Sequence, residues 1–335
     1  MNNAPLICRN TVACLALLVP PAATPGVAED APPTTDVLTD KQWDDVDRSL
    51  ERALAFLASN QRDDDGSFRT TDNGQPGVTG LCVLAFLANG HTPGQGPYGE
   101  GLDQAVKFIV SCQKQNGLLS VRAPEGPKIR RNVSRQVGAV ATYNHGIAGL
   151  ALSEVYASTD PSSSQTIKAA IEKAIEATLV MQQFPKVRPE DHGGWRYLDI
   201  LITQGERVDS NLSNTSWQML FLRSAKNAGF DVQQQTIDDA VGFINRCFHP
   251  GYRTFVLMPS HRDHRTRGMA GAGVMALALA GRHESPAAQT AGDWILEQSF
   301  AKYNRIEPFG QRGWYDDRYH YGIFYCTQAT YQLGG

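Results

Sequence analysis

The sequence is poor in the features that would place it in several large functional classes. Its 335 residues carry 31 basic and 34 acidic side chains, a formal net charge of -3. Charge this small and this mixed gives no overall electrostatic reason to bind nucleic acid or an anionic membrane surface, so any anion site has to be local. Beyond the N-terminus no stretch approaches about 20 apolar residues, and no membrane-spanning segment is expected. There are only six cysteines, none in a Cys-x-x-Cys pair. Strand-type alternation is sparse. What remains is ample apolar material, 41% of the chain, enough for a substantial core in one large repeat domain or two ordinary ones.

The N-terminus stands apart. MNNAPLICR carries one positive charge at Arg9, TVACLALLVPPAA is a short apolar core, and Gly26-Val27-Ala28 places small residues at cleavage-type positions. This is the layout of a secretory signal peptide, so residues 1–28 are expected to be removed and the protein exported, to the periplasm or beyond, as a soluble chain. Residues 29–40, including APPTT, form a linker to a folded body over 41–335. Removal of the leader takes Cys8 and Cys14 with it. Cys82, Cys112, Cys247 and Cys326 then remain in helical patterns, where buried thiols are expected rather than disulfides.

Two frames alternate along the body. The first, ALAFLASNQRDDDGSF and AVKFIVSCQKQNGLLS, anchors at Ala53, Ala105, Ala174, Ala240 and Ala291, at steps of 52, 69, 66 and 51 residues. Its aromatic is Phe56, Phe108, Phe243 or Trp294 but Ala177 in the third copy. Its glutamine is Gln61, Gln113 and Gln182, replaced by Phe248 and Ser299 in the last two. The second frame, as in VTGLCVLAFLANG and MAGAGVMALALAG, anchors at Gly80, Gly146, Ser216, Gly271 and Gly322. Five helical pairs result, joined by connections of very unequal length.

The two helices of a pair differ in kind. In TIKAAIEKAIEATLVMQ, Ile167, Ile171, Ile175 and Leu179 recur every four residues with Lys168, Glu172, Lys173 and Glu176 opposite, an amphipathic helix facing water on one side. The second helix is apolar nearly all round and rich in Gly and Ala, which places it inside with neighbours close by. Such pairs build an open superhelix or a closed ring. The ring is expected, because every inner helix is apolar throughout and no polar cap precedes Gly335; with five pairs visible, a seam is expected beside the last of them.

These residues carry a family resemblance. The Ala-x-x-Phe…Gln…Gly-x-aromatic frame, present as Gln61…Gly66-Ser67-Phe68 and Gln182…Gly193-Gly194-Trp195, resembles the degenerate Gln-Trp repeat of the prenyltransferase and squalene cyclase superfamily, over roughly residues 41 to 335. The resemblance implies an all-α fold, an α/α toroid with inner helices around a cavity for an isoprenoid-like small molecule. It also implies that the Gln and aromatic residues staple outer helix ends to the next inner helix.

Chemistry is harder to place. Cyclases of that superfamily protonate substrate with an Asp-x-Asp-Asp motif, and none lies at an inner helix start here; Asp44-Asp45-x-Asp47 and Asp63-Asp64-Asp65 suit capping and turns. The protein prenyltransferases hold zinc with Asp, Cys and His. Asp317 and His320 resemble the region supplying their histidine, but the Asp-x-Cys element is missing, and one histidine does not hold zinc. No metal or other cofactor is therefore expected. Asp317 and His320 stand as a candidate acid/base pair, and Arg262, Arg265 and Arg267 in SHRDHRTRG as a candidate anion or diphosphate site ahead of an inner helix. A second basic segment, Lys128 to Arg131 with Arg135, leads towards His145. Tyr143, His145, Trp217, Tyr319, Tyr321 and Phe324, near inner helix starts, are the candidate cavity wall.

The expected function is binding of an apolar or isoprenoid-type ligand, with no nucleic-acid partner. A catalytically inactive scaffold and a toroid acting on polysaccharide are the rivals, the last requiring a long groove lined by Trp and paired carboxylates. N-terminal sequencing of exported material should find the mature chain beginning near Glu29; a soluble cytoplasmic protein retaining Met1 would contradict the leader assignment.

Overall fold

The computed structural model describes residues 38–129, 135–158, 164–198, 203–204, 207–300 and 318–334, with the side chains of 135–136, 203–204, 207 and 261–264 set aside. The expected leader, most of the linker and Asp317 lie outside the described residues. Ten α-helices carry the fold: α1 (Asp40–Ser59), α2 (Gly77–Ala88), α3 (Gly99–Ser111), α4 (Arg135–Ser158), α5 (Gln165–Gln182), α6 (Leu212–Asn227), α7 (Gln234–Cys247), α8 (Arg267–Leu279), α9 (Pro286–Leu296) and α10 (Tyr319–Gln332).

The even-numbered helices pack on one another in chain order, α2 on α4, α4 on α6, α6 on α8 and α8 on α10. The odd-numbered ones lie outside, each against the inner helices flanking it in sequence, as α3 lies on α2 and α4. The result is an α/α toroid of antiparallel hairpins. The patterning explains which helix goes where. In α5, Ile171 and Ile175 are buried while Glu172, Lys173 and Glu176 are exposed; in α8 every residue from Arg267 to Leu279 is buried. The second-frame anchors are the contact points between inner helices. A Cβ on Gly80 would touch Ile147 and Ala151, one on Gly146 would press on Trp217 and Gln218, and one on Gly271 would stand 2.7 Å from the backbone at Tyr325 and Cys326. Ser216, in the same place, donates its hydroxyl to the Ala272 carbonyl of α8 at 3.3 Å.

The first frame does something different from what the resemblance implies. The Gln61 amide donates to the carbonyls of Gly66, in its own turn, and Gly101, on the next outer helix, at 2.8 and 2.7 Å. Gln113 repeats this with Gly117 and Ala170 at 3.2 and 2.8 Å. So does Gln182 with Gly193 and Thr236 at 2.8 and 2.9 Å. The glutamine thus ties an outer helix to the next outer helix, not to an inner one. One of its N–H groups satisfies the turn carbonyl, and the other adds a second hydrogen bond to a carbonyl near the start of the next outer helix. The tie to the inner helix is made by the backbone N–H two residues after the turn glycine. Phe68 donates to Thr79 Oγ1 at 3.0 Å, Leu119 to His145 Nδ1 at 3.2 Å and Trp195 to Thr215 Oγ1 at 3.1 Å. The turn glycine is fixed by two constraints at once. Gly193 has φ of +85°, and a Cβ there would stand 2.0 Å from the Asp239 carbonyl oxygen of α7.

Two local departures from the sequence expectation follow from chain geometry. Within residues 260–268, expected as a loop, 261–265 form the third strand of an antiparallel sheet of β3 (Phe248–His249), β4 (Thr254–Met258) and β5 (His261–Arg265). The earlier strand pair, β1 (Thr203–Gln204) and β2 (Arg207–Val208), is minimal. With Phe248 in the glutamine's place, the fourth turn keeps its cross-strand partner, Phe248 opposite Phe255, where the first two pair Gln61 with Phe68 and Gln113 with Leu119. Strand pairing replaces the lost staple. Second, α4 begins at Arg135, so Tyr143 and His145 lie in mid-helix rather than near its start. The four cysteines are buried free thiols, and burial pushes Cys82 up to about 11 and Cys112 to about 12. They are held as inert thiols.

Gln182→Ala should destabilise the fold by about 2–3 kcal/mol, because it strips the Gly193 carbonyl of its side-chain donor and removes the bond to Thr236 at a site only 3% exposed. Gln61→Ala, half-buried and open to water, should cost about 1 kcal/mol. Urea unfolding of both variants measures this; equal small losses would show that the staple is dispensable.

Candidate functional site

The bore between the inner helices is lined in layers, because each inner helix presents residues about one turn apart on its inner face. On α6 these are Ser213, Trp217, Leu220 and Ser224; on α4, Tyr143, Leu150, Glu154 and Ser158; on α10, Tyr321, Phe324 and Gln328.

The first layer is polar. Ser213 Oγ lies 2.7 Å from Tyr143 Oη and 2.7 Å from Tyr321 Oη, joining three helices, and Tyr143 Oη reaches Tyr197 Oη at 3.3 Å. Burial, reinforced by neighbouring phenols, raises Tyr143 well above the ordinary tyrosine range, and burial raises Tyr321 to about 12. These groups stay neutral and act as hydrogen-bonding hydroxyls, not as bases. Beside them the Arg196 guanidinium lies over the Tyr197 ring at 4.6 Å and pairs with Asp209 at 3.1 Å, with both side chains largely enclosed. The second layer is aromatic: Trp217 stacks on Phe324 with ring centroids 5.3 Å apart, and Tyr325 meets both edge-on.

Past this plug, towards the C-terminal ends of the inner helices, lies a cavity of about 140 Å3. Its wall is mostly Leu84 and Leu87 of α2, Leu150 of α4, Leu220 of α6 and Phe324 of α10, with Thr92, Ser158 and Gln328 as neutral polar neighbours. Among the described residues, the one ionisable side chain lining it is Glu154. Ser224 Oγ donates to Glu154 Oε1 at 2.6 Å, and burial raises the carboxyl above its ordinary range against that bond. Residues of α2 and α10 line the same cavity here.

The remaining sequence candidates are dispersed. His145 is fully buried and faces outward, away from the cavity: Nδ1 accepts from the Leu119 N–H, so Nε2 carries the proton and donates to Thr178 Oγ1 at 2.9 Å. It holds the place taken by Thr79 and Thr215 in neighbouring repeats, which corrects its assignment to the cavity wall. Tyr319 also lies outside the bore, donating to the Phe300 carbonyl at 3.1 Å. Arg267 is 5% exposed, its guanidinium 4.5 Å from the Phe300 ring and bonded to the Ser299 carbonyl. Arg265 lies instead over Tyr252, at 4.3 Å. These two arginines point to different partners and do not form one anion fork. The Arg262 side chain and Asp317 fall outside the description, and His320 is exposed on the first turn of α10. Among the described residues no cluster of three or more His, Cys, Asp or Glu could hold a metal ion.

No family model matches the chain, and no curated protein matches it. Among solved structures it is similar to a variant of the type II terpene cyclase MstE from Scytonema in complex with geranylgeranyl dihydroxybenzoate. The two chains are 16% identical, with a TM-score of 0.47, over 86% of this chain and 81% of that one.

Glu154 was overlooked by sequence reasoning, although its signal was visible: it is the one acidic residue in NHGIAGLALSEVYA, an otherwise nearly uncharged inner helix. A charge on a helix meant to be buried on most of its circumference needs a reason.

Burial lowers His145 to about 4, which fixes the sign of one pH effect. The unfolded chain, with a histidine near 6.5, binds more protons than the folded one between those values. Stability is therefore full above about pH 6.5 and falls as pH drops towards 4, by about 3 kcal/mol for this group. Urea midpoints from pH 7.5 to 4.5 should show a steeper loss in the wild type than in His145→Thr; parallel slopes would contradict the buried neutral histidine.

Proposed function

We propose that the protein is an exported α/α toroid that binds the end of an apolar, isoprenoid-type molecule in the cavity between α2, α4, α6 and α10. The observation that carries this is the cavity wall: four leucines and a phenylalanine from four inner helices converge on one space, with a single ionisable group among them. An engineered cavity of about 150 Å3 lined by such residues stays dry and takes up benzene, so this one is suited to about six heavy atoms, one isoprene unit of a longer chain. Export is supported by the N-terminal charge, apolar core and small-residue site.

The polysaccharide alternative loses its support. Of the described tryptophans Trp195, Trp217 and Trp294 are buried and Trp43 on α1 is partly exposed, and among the described residues the carboxyl in the cavity has no second carboxyl beside it on the wall. Nor do the arginines supply a ready diphosphate site, since Arg267 is enclosed by aromatic rings and a carbonyl.

Isoprene near saturation in buffer should raise the thermal midpoint of the wild type by about 2 °C, through preferential binding to the folded state. Leu87→Trp, which fills the cavity from its partly exposed side, should abolish that shift. No shift in the wild type, or an equal shift in both, would overturn the proposal.

A further inference from the structure

Glu154 is an anomaly in its surroundings. A carboxyl on an apolar wall is costly unless it is paired or protonated. Here one oxygen receives the Ser224 hydroxyl, and among the described residues no Lys, Arg or His forms an ion pair with it. One oxygen is thus held in place and the other is left for whatever the cavity contains. Ser224 lies on α6 and Glu154 on α4, so the bond crosses between two inner helices and fixes the carboxyl at the cavity edge.

We infer that Glu154 is the polar anchor of the ligand and that the group it receives is a hydroxyl, making the ligand class an apolar alcohol with a branched chain of isoprene size at its hydroxyl end. This rests on the apolar cavity proposed above. Three observations favour an alcohol. First, a hydroxyl has a single donor to place, and one free carboxyl oxygen accepts it. Second, the groups beside Glu154 are neutral and small: the Ser158 hydroxyl is given to backbone carbonyls of its own helix, and Thr92 can donate to the alcohol's own lone pairs, as water does for a free alcohol. Third, the size agrees. Prenol, 3-methyl-2-buten-1-ol, has six heavy atoms, the scale of the cavity.

A hydrogen bond to an ionised carboxylate is among the stronger neutral-to-charged interactions. Its loss should weaken binding by about tenfold or more. The probes are prenol and its hydroxyl-free counterpart 2-methyl-2-butene, titrated by NMR into the wild type and Glu154→Leu. Prenol should bind Glu154→Leu about tenfold more weakly than it binds the wild type, while the hydrocarbon binds Glu154→Leu as well or better. If both ligands bind both proteins without that crossover, the anchor is refuted and the apolar cavity stands. If neither ligand binds the wild type, the cavity proposal itself fails and the anchor with it.

A second measurement needs no variant. In the wild type, the Glu154 side-chain carboxyl 13C resonance should titrate at lower pH with prenol bound, since the alcohol stabilises the ionised form. It should titrate at higher pH with 2-methyl-2-butene bound, since the hydrocarbon only expels water. Movement in the same direction with both ligands would overturn the inference, even if Glu154→Leu failed to fold.

Discussion

One side-chain amide donating twice is the constraint on which this architecture depends. At Gln61, Gln113 and Gln182 the same two N–H groups close the turn at the end of one outer helix and hold the first turn of the next. An outer helix is only half buried and gains little from packing alone, so its position needs a directional bond. With four successive outer helices, α1, α3, α5 and α7, joined by three such ties, the inner helices are brought into sequence, and their glycine or serine anchors let backbones approach until facing side chains meet in the bore. The cavity is a consequence of that spacing rather than of any residue designed to make a hole.

The bore is graded. Phenols and a serine share hydrogen bonds at one level, Trp217 and Phe324 seal the middle, and leucines surround the open space beyond. Neutral hydroxyl networks of this kind satisfy one another without charge, so they add no electrostatic reason for a polar ligand to enter from that end. Polarity inside the cavity is concentrated at Glu154, which makes that carboxyl the point where an apolar pocket acquires selectivity. Binding by shape alone discriminates weakly between apolar molecules of one size, whereas a buried polar group rejects any ligand that leaves it unpaired.

Much of this was legible in the chain. The frame anchors each fall within one of the helices found among the described residues, and the contrast between α5 and α8 sorted outer from inner, because amphipathicity reports directly on how many sides of a helix are covered. Of Tyr143, Trp217, Tyr321 and Phe324, Phe324 lines the cavity, while Tyr143 and Tyr321 bond to Ser213 and Trp217 stacks on Phe324. The rest was hidden for identifiable reasons. His145 looked like site chemistry, but its repeat position, one residue before Gly146, is a structural acceptor filled elsewhere by Thr79 and Thr215. Arg265 and Arg267 are two residues apart and looked like one cluster, yet the change from strand β5 to helix α8 between them sends their side chains to different rings. The partner of the glutamine staple could not be read, since a side-chain amide names no acceptor. Glu154 gave a signal only as an exception to an apolar pattern, and its meaning required knowing that Leu84, Leu220 and Phe324 stand around it.

The account turns on an apolar space enclosed by four inner helices. Diffraction from crystals held under xenon pressure tests it directly, because xenon enters dry apolar cavities of this size and scatters anomalously. The account predicts one strong anomalous peak surrounded by Leu84, Leu150, Leu220 and Phe324, within van der Waals distance of Glu154. Ordered water filling that space with no xenon peak, or peaks confined to other parts of the molecule, would contradict it.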